Sequence, residues 1–370
     1  MKKIFRTVLA LCLLCVSAIS LFACGDNDEV GEKGLILKKY NGDDFWTVQN
    51  YVDDGTTDLE IPAEKDGYPV VRIASEAFDG SKLVSIKVPT SIEEIGEGAF
   101  ANMPKLKSLT LPFVGKYFNA DAYANQTADG YAEPDGMDYS NVKAVGAERT
   151  LDYLFGDVVY DGGAQTAGNG KTYYLPTTLE TITIAPAKDY KLPMHAFNGI
   201  KIASEIVLND KVTEIGVSAF SNVKLDKLVV PSSVKNVYAN AFEGCDIADL
   251  SFASGSQITV LPEKCFFNSK LTKIDLPASL EVIGEKCFAA TISSEVSSSQ
   301  LKTVKLPATI TKIGYAAFQN CWELTSVDLS NVTSVAVEDY AFLECKKLSF
   351  TTEELAKFTG ATDTLFGHNA

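Results

Sequence analysis

A short alternation of apolar and polar positions returns along most of this chain. In Leu271-Thr-Lys-Ile274-Asp-Leu276-Pro277 the apolar side chains fall at every second position around Ile274, the period of a half-buried strand. Residues 301–313 repeat it with Val304, Leu306, Pro307 and Ile310. Pro277 and Pro307 sit just past the strand, where a missing N–H does no harm to a ladder. Two apolar positions three apart follow, then a Gly that reads as a tight bend. The unit closes on Gly-x-x-Ala-Phe. That segment is too short for a full helix and predicts one helical turn, with the Phe filling the interior.

The closing pair recurs at Phe78, Phe100, Phe197, Phe220, Phe242, Phe318 and Phe342, and Cys replaces Ala before Phe266 and Phe288. Where the rhythm holds, successive Phe residues lie 22, 23, 22, 24, 22, 30 and 24 apart. A fixed period of this size predicts a solenoid, with each repeat one coil stacked on its neighbours. Stacking places the strands about 4.8 Å apart in a parallel sheet.

The composite pattern L-x-x-I-x-L-P-x-x-I-x-x-I-G-x-x-A-F covers most of residues 60–350. It resembles the bacterial leucine-rich repeat proteins of the BspA-like type. The resemblance implies an α/β, β-rich leucine-rich-repeat solenoid with a parallel concave sheet and short helical turns on its convex side. It also implies a surface protein that adheres to proteins of a host or a neighbouring cell. The chain departs from better-known leucine-rich repeats in lacking the Asn after the strand, and it loses the Leu-Pro signal at Phe252-Ala253 and Leu329-Ser330.

The N-terminus reads as an address. Lys2, Lys3 and Arg6 precede an apolar stretch from Val8 to Leu21, the length of a secretion signal and short for a membrane span. Leu21-Phe22-Ala23-Cys24 then resembles the lipobox of bacterial lipoproteins. That implies a signal peptide over 1–23 and lipidation at Cys24, with residues 24–34 as a flexible tether. The expected localisation is extracytoplasmic, lipid-anchored to the membrane and surface-exposed.

The solenoid is expected over 35–350, with an N-terminal cap over 35–62 and a C-terminal cap over 351–370. Asp66-Gly67 marks a turn, and Thr351-Thr-Glu-Glu354 has capping-box spacing for a short closing helix. The rhythm breaks between Phe100 and Phe197. The insert 113–174 holds eight of the 15 tyrosines. Tyr is enriched at interfaces because it offers area at low entropic cost. Tyr117, Tyr123, Tyr131, Tyr139, Tyr153 and Tyr160 are therefore candidate ligand-binding residues. The Ser-rich stretch 291–300 reads as a flexible loop.

Charge narrows the partners. The net charge is −15, and loss of the basic leader would make the chain more acidic still. That argues against nucleic acid, whose phosphates require Lys/Arg clusters. Cys245, Cys265, Cys287, Cys321 and Cys345 all occupy repeat positions, where a small apolar side chain suffices, and read as buried thiols. The two histidines, His195 and His368, have no catalytic constellation, and neither H-E-x-x-H nor G-x-S-x-G occurs. Gly168-Asn-Gly170-Lys171-Thr172 lacks the first glycine of a phosphate loop. Asp53 to Asp58 offers a weak calcium candidate without EF-hand spacing. No cofactor, metal or enzymatic activity is expected. The outward strand positions, from Ser85 and Lys87 to Ser326 and Asp328, are polar and suit a protein partner. The function expected is surface binding or adhesion. The alternatives are a structural spacer without a ligand, or a hydrolase with its site in the insert.

Overall fold

The computed structural model describes residues 28–30, 33–118, 150–168, 171–201, 204–293 and 296–367. Its described residues wind as a parallel β-solenoid of about 12 turns, mostly β with almost no helix among them. Each coil lays down two short strands because its two apolar signals recur in register. The I-x-L strands build a front sheet. Seven pair in parallel from Asp58–Glu60 through Ser85–Lys87, Ser108–Leu111, Thr181–Ile184, Glu205–Leu208 and Lys224–Val230 to Asp246–Phe252. Three more, Lys273–Asp275, Thr303–Lys305 and Ser326–Asp328, pair beyond an interruption that follows Phe252. The second apolar pair of each coil builds a back sheet, in which Ile215 pairs Val237, Ile283 pairs Ile313 and Ile313 pairs Val337.

The third side of the coil differs from the helical turn that the spacing suggests. The residue before Ala-Phe or Cys-Phe takes a left-handed φ in successive coils: +59° at His195, +54° at Ser218, +59° at Asn240, +52° at Lys264 and +49° at Lys286. So does the residue two after the Phe, at +54° for Asn222, +57° for Asn268 and +64° for Asn320. The alternation aims backbone N–H groups along the stack. Phe220 N donates to Ala241 O at 2.7 Å, Phe242 N to Cys265 O at 2.8 Å and Phe266 N to Cys287 O at 2.7 Å. A helix would satisfy these groups within its own turn. Here they form a third intercoil ladder, which a buried backbone requires. The second left-handed position carries a readable signal: in seven coils it is Gly80, Asn102, Gly199, Asn222, Gly244, Asn268 or Asn320, the residue types that bear positive φ at least cost, while Glu344 takes it at +59° in the last.

The Gly after the second strand serves close approach rather than a bend. A Cβ on Gly216 would lie 2.6 Å from Leu192 O, and one on Gly284 2.8 Å from the Pro262 carbonyl carbon. Inside the coils the Phe rings form a column. Neighbours from Phe197 to Phe342 lie 5.0–5.3 Å apart with planes within 17° of parallel. All five cysteines 245, 265, 287, 321 and 345 are buried free thiols. Cys321 Sγ and Cys345 Sγ donate to the carbonyls of Phe288 and Phe318, each at 3.1 Å.

The break between Phe100 and Phe197 is a coil with excursions rather than a departure from the solenoid. Phe113 and Val114 are fully buried, and Tyr117 bridges Glu94 of the previous coil. After 119–149, which lie outside the described residues, Thr150 re-enters. The 3-10 turn Asp152–Phe155 supplies the missing closing unit: Phe100 N donates to Leu154 O at 2.9 Å. Phe155 packs on Phe100 at 6.3 Å and 51°. An antiparallel hairpin, Gly163–Gly168 with Lys171–Pro176, then leads back to the front sheet. The 291–300 stretch also carries a short antiparallel pair among its described residues. Ile292–Ser293 pairs Val296–Ser297, and Asn268 Oδ1 accepts from Thr291 N at 2.7 Å and Ser298 Oγ at 2.6 Å.

At the N-terminal end, strand Asp28–Val30 pairs Leu37–Lys39 antiparallel, so the tether expected through residue 34 already carries a strand. Gly34–Lys39 and Trp46–Val52 form a hairpin, and Trp46–Val52 hands over to Tyr68–Ile73 in parallel. Asp66 and Gly67, both at positive φ, turn the hairpin from Glu64–Lys65 into Tyr68–Ile73. At the other end the capping box forms on helix Thr352–Leu355, with Thr351 N donating to Glu354 Oε2 at 2.7 Å. Strand Phe358–Gly360 pairs Val335–Val337, and Phe350, Phe358 and Phe366 gather around Phe342. The stack thus ends on aromatic rings rather than on an open column.

Candidate functional site

Outward side chains of the front sheet fall into two rows, because strand neighbours keep register. In one row Ser108 pairs Thr181, Thr181 pairs Glu205, Glu205 pairs Lys227 and Lys227 pairs Asp249. In the other Thr110 pairs Thr183, Thr183 pairs Val207, and Val229 pairs Ser251. The second row is short and β-branched, and Val207 is 36% exposed. The first row is charged. Lys227 Nζ donates to Glu205 Oε1 at 2.8 Å, which raises the lysine pKa. At the N-terminal edge Ser85 Oγ donates to Asp58 Oδ1 at 2.5 Å and Lys87 Nζ to Glu60 Oε1 at 2.6 Å. These pairs are exposed and add little stability. They fix the orientation of charges beside a strip of small hydroxyls and two valines.

Tyr153 is buried within the closing turn, and Tyr117 and Tyr160 are half-buried. Tyr123, Tyr131 and Tyr139 lie outside the described residues, as do Cys24 and the whole 1–23 segment. Burial of Tyr153 follows from its place: its carbonyl accepts from Gly98 N at 3.0 Å, so it belongs to the intercoil ladder and presents no ring to a ligand. The Tyr160 hydroxyl is buried with no hydrogen-bond partner among the described groups. Desolvation pushes its pKa up. Beside it Val158 and Val159 are 56% and 70% exposed, an apolar pair that the tyrosine count did not reveal.

Asp152 is the buried acid of this region. Its carboxylate accepts from Thr150 Oγ1 and, at 3.1 Å, from Thr166 Oγ1. It ties the closing turn to the hairpin. Desolvation raises its pKa against the lowering effect of those hydroxyls. His195 sits at the left-handed position of its turn, where burial lowers its pKa, and its Nδ1 lies 3.3 Å from Asn198 Nδ2. Burial also pushes the Cys321 thiol up to about 12, far from the thiolate that reactivity needs. In the calcium candidate, Asp54 accepts from Tyr51 Oη at 2.8 Å and Thr56 N at 2.9 Å. Among the described residues no three His, Cys, Asp or Glu side chains come together as a metal site. No helix among them is long and apolar enough to cross a membrane.

The coil, with its two parallel strands and Phe-closed turn, places the chain among leucine-rich repeat solenoids. More narrowly, it belongs to the BspA type leucine rich repeat family, which matches residues 56–129, 190–297 and 295–359 in 6 copies. This repeat fold is typical of bacterial surface proteins. Among solved structures the chain is similar to a leucine rich cell surface protein from Faecalibacterium prausnitzii. They share 17% identity over 90% of this chain and 98% of that one, with a TM-score of 0.32. The pneumococcal vaccine antigen PcpA shows 14% identity over 91% and 95%, with a TM-score of 0.36. A leucine-rich repeat protein from Bacteroides ovatus shows 16% identity over 89% and 75%, with a TM-score of 0.35. No curated protein matches the chain.

Proposed function

We propose that the protein is a lipid-anchored surface solenoid whose front sheet binds a protein partner. The observation that carries this reading is the strip Thr110, Thr183, Val207, Val229 and Ser251, flanked by the ion-paired row of Glu205 and Lys227. Small hydroxyls around two valines, bordered by oriented charges, suit the mixed, partly polar surface of protein interfaces. The charges would select the partner more than they strengthen binding. The anchor rests on the apolar run that ends at Cys24. Acylation there would hold the chain stably, since more than one chain is added. A second reading puts contact in the insert, and the exposed Val158 and Val159 favour it.

The test uses surface proteins cross-linked to the full chain on intact cells. Thr183→Glu with Val207→Glu should abolish capture of the partner that the wild type enriches, whereas Val158→Glu with Val159→Glu should spare it. The reverse result would move the site to the insert. No enrichment of any partner by the wild type would favour the spacer. For the anchor, Cys24→Ala should release the protein from the membrane fraction. Full retention of that variant would sink the lipid-anchor reading.

A further inference from the structure

The N-terminal cap exposes two aromatic rings outside the Phe column, the Tyr40 hydroxyl donating to Gln49 Oε1 at 2.7 Å. Tyr40 is 40% exposed and Tyr68 is 41% exposed. Each carries a lysine: Lys39 Nζ stands 3.0 Å from the Tyr68 ring centroid, and Lys38 Nζ 5.3 Å from that of Tyr40. Strand order explains why they meet. Gly34–Lys39 ends where Trp46–Val52 begins, and Tyr68–Ile73 runs parallel to the latter. One end of the cap sheet therefore collects Lys39, Tyr40 and Tyr68.

The chain arrives at this same end. Asp28, first residue of the first strand, pairs directly with Lys39. Only residues 25–27 separate Cys24 from Asp28, a reach of about 14 Å at full extension. If Cys24 is acylated, the lysine-capped tyrosines lie within that reach of the headgroups.

We propose that this end of the cap is a membrane-contact face, with the Tyr40 and Tyr68 rings seated in the headgroup layer of a phospholipid bilayer. The proposal rests on the lipid-anchor reading above. Tyrosine suits that layer because its ring is apolar and its hydroxyl is wet. Lysine stems lie along apolar surface while their ammonium groups reach phosphate. The face is not strongly basic: Asp43, Asp44, Glu64 and Asp66 share this end of the sequence, and Lys65 pairs with Asp66 at 3.4 Å. Long-range attraction to anionic lipid therefore does not bring it down. The short tether does, by holding a weak face at high effective concentration. Contact at two rings beside the tether would stop the solenoid pivoting freely and fix the direction in which its front sheet faces.

The test is hydrogen exchange on the full chain isolated from membranes, compared in detergent and in vesicles of phosphatidylcholine with a minority of phosphatidylglycerol. Mass spectrometry first reports whether Cys24 is acylated, which decides the anchor reading by itself. The same measurement is made on the chain from Gly25 onward, held on nickel-chelating vesicles through a hexahistidine tag placed directly before Gly25, which keeps the tether short and frees the result from acylation. Exchange at residues 38–40 and at Gly67 and Tyr68 should slow by about fivefold on vesicles. Tyr40→Ser with Tyr68→Ser should cancel that slowing while leaving exchange in the Phe column unchanged. Equal exchange on and off vesicles for the tethered chain overturns the proposal, whatever the state of Cys24.

Discussion

The coils from Phe197 to Phe342 and the interrupted coil between Phe100 and Phe197 solve one problem with unequal resources. The regular coils stack their rings at 5.0–5.3 Å with near-parallel planes. The interrupted one offers Phe155, tilted by 51° at 6.3 Å from Phe100. Yet both keep the intercoil ladder, since Phe100 N still finds Leu154 O as Phe220 N finds Ala241 O. A coil needs its backbone partners and one buried ring. The length of chain between its strands matters far less, because closing a longer loop costs entropy only slowly. The main hairpin and the 291–300 hairpin both leave just after the Phe turn, a corner that carries no sheet pairing of its own.

The sharpest break of that comparison is a pair of truncations. Phe242→Ala should cost about 3–5 kcal/mol in a denaturant titration, as buried aromatic deletions do. Phe155→Ala should cost about 1 kcal/mol less, since it lacks the stacked partners on both sides that Phe242 has. Equal losses would mean that stacking adds nothing to burial. Phe118→Ala should cost least of the three. That ring is partly buried and touches Phe113 at 5.9 Å and Tyr190 at 6.1 Å, outside the column.

Gly284→Ala comes next. Its new methyl would meet the Pro262 backbone at 2.8 Å, and overpacking against backbone costs about 1–3 kcal/mol. A neutral Gly284→Ala, read by the same titration, would show that the coils can part there without loss.

Asp152 gives a smaller, pH-dependent effect. Its folded pKa is raised by desolvation, so the folded chain holds that proton more tightly than the unfolded one. Its contribution is fully present below the unfolded value of about 3.9 and is lost as pH rises through the folded pKa. Wild type should therefore weaken relative to Asp152→Asn as pH climbs from 4 to neutral. A difference independent of pH, followed by thermal melts, would exclude a titrating clasp.

The smallest effect is expected for the excursion itself. Replacing residues 119–149 with a short Gly/Ser linker should change stability by less than about 0.5 kcal/mol, because 113–118 and 150–155 carry the coil. A loss as large as that of Phe155→Ala would make the excursion part of the coil. Replacing the whole span 113–174 is a different experiment, since it removes Phe113, Tyr153 and Phe155 from the core.

Much of this fold is legible residue by residue. Ile274 and Leu276 announce a strand, Phe220 and Phe242 announce the column, and Cys265 and Cys287 announce buried small residues at the Ala position. The Gly or Asn two residues after seven of the nine repeat Phe residues is equally legible and points to a left-handed residue, which a helical turn does not contain. Leu151-Asp-Tyr-Leu-Phe155 hid because it keeps the ring but loses the Ala and the Gly. Site residues were harder to read. Eight tyrosines in one span looked like an interface, but composition does not say which way a ring points, and Tyr153 turned inward to serve the ladder.

By itself the sequence determined the period, the number of signals per coil and the identity of the core. Those depend on spacing, and hydrophobic burial rewards any stacking that keeps the spacing in register. The tertiary structure alone decided three things: that the closing turn donates its N–H groups to the next coil, that the broken stretch still completes a coil, and that Tyr40 and Tyr68 share the end where the chain arrives. Each depends on which backbone groups and strand ends become neighbours after winding, and residues 22 or more positions apart carry no local mark of that.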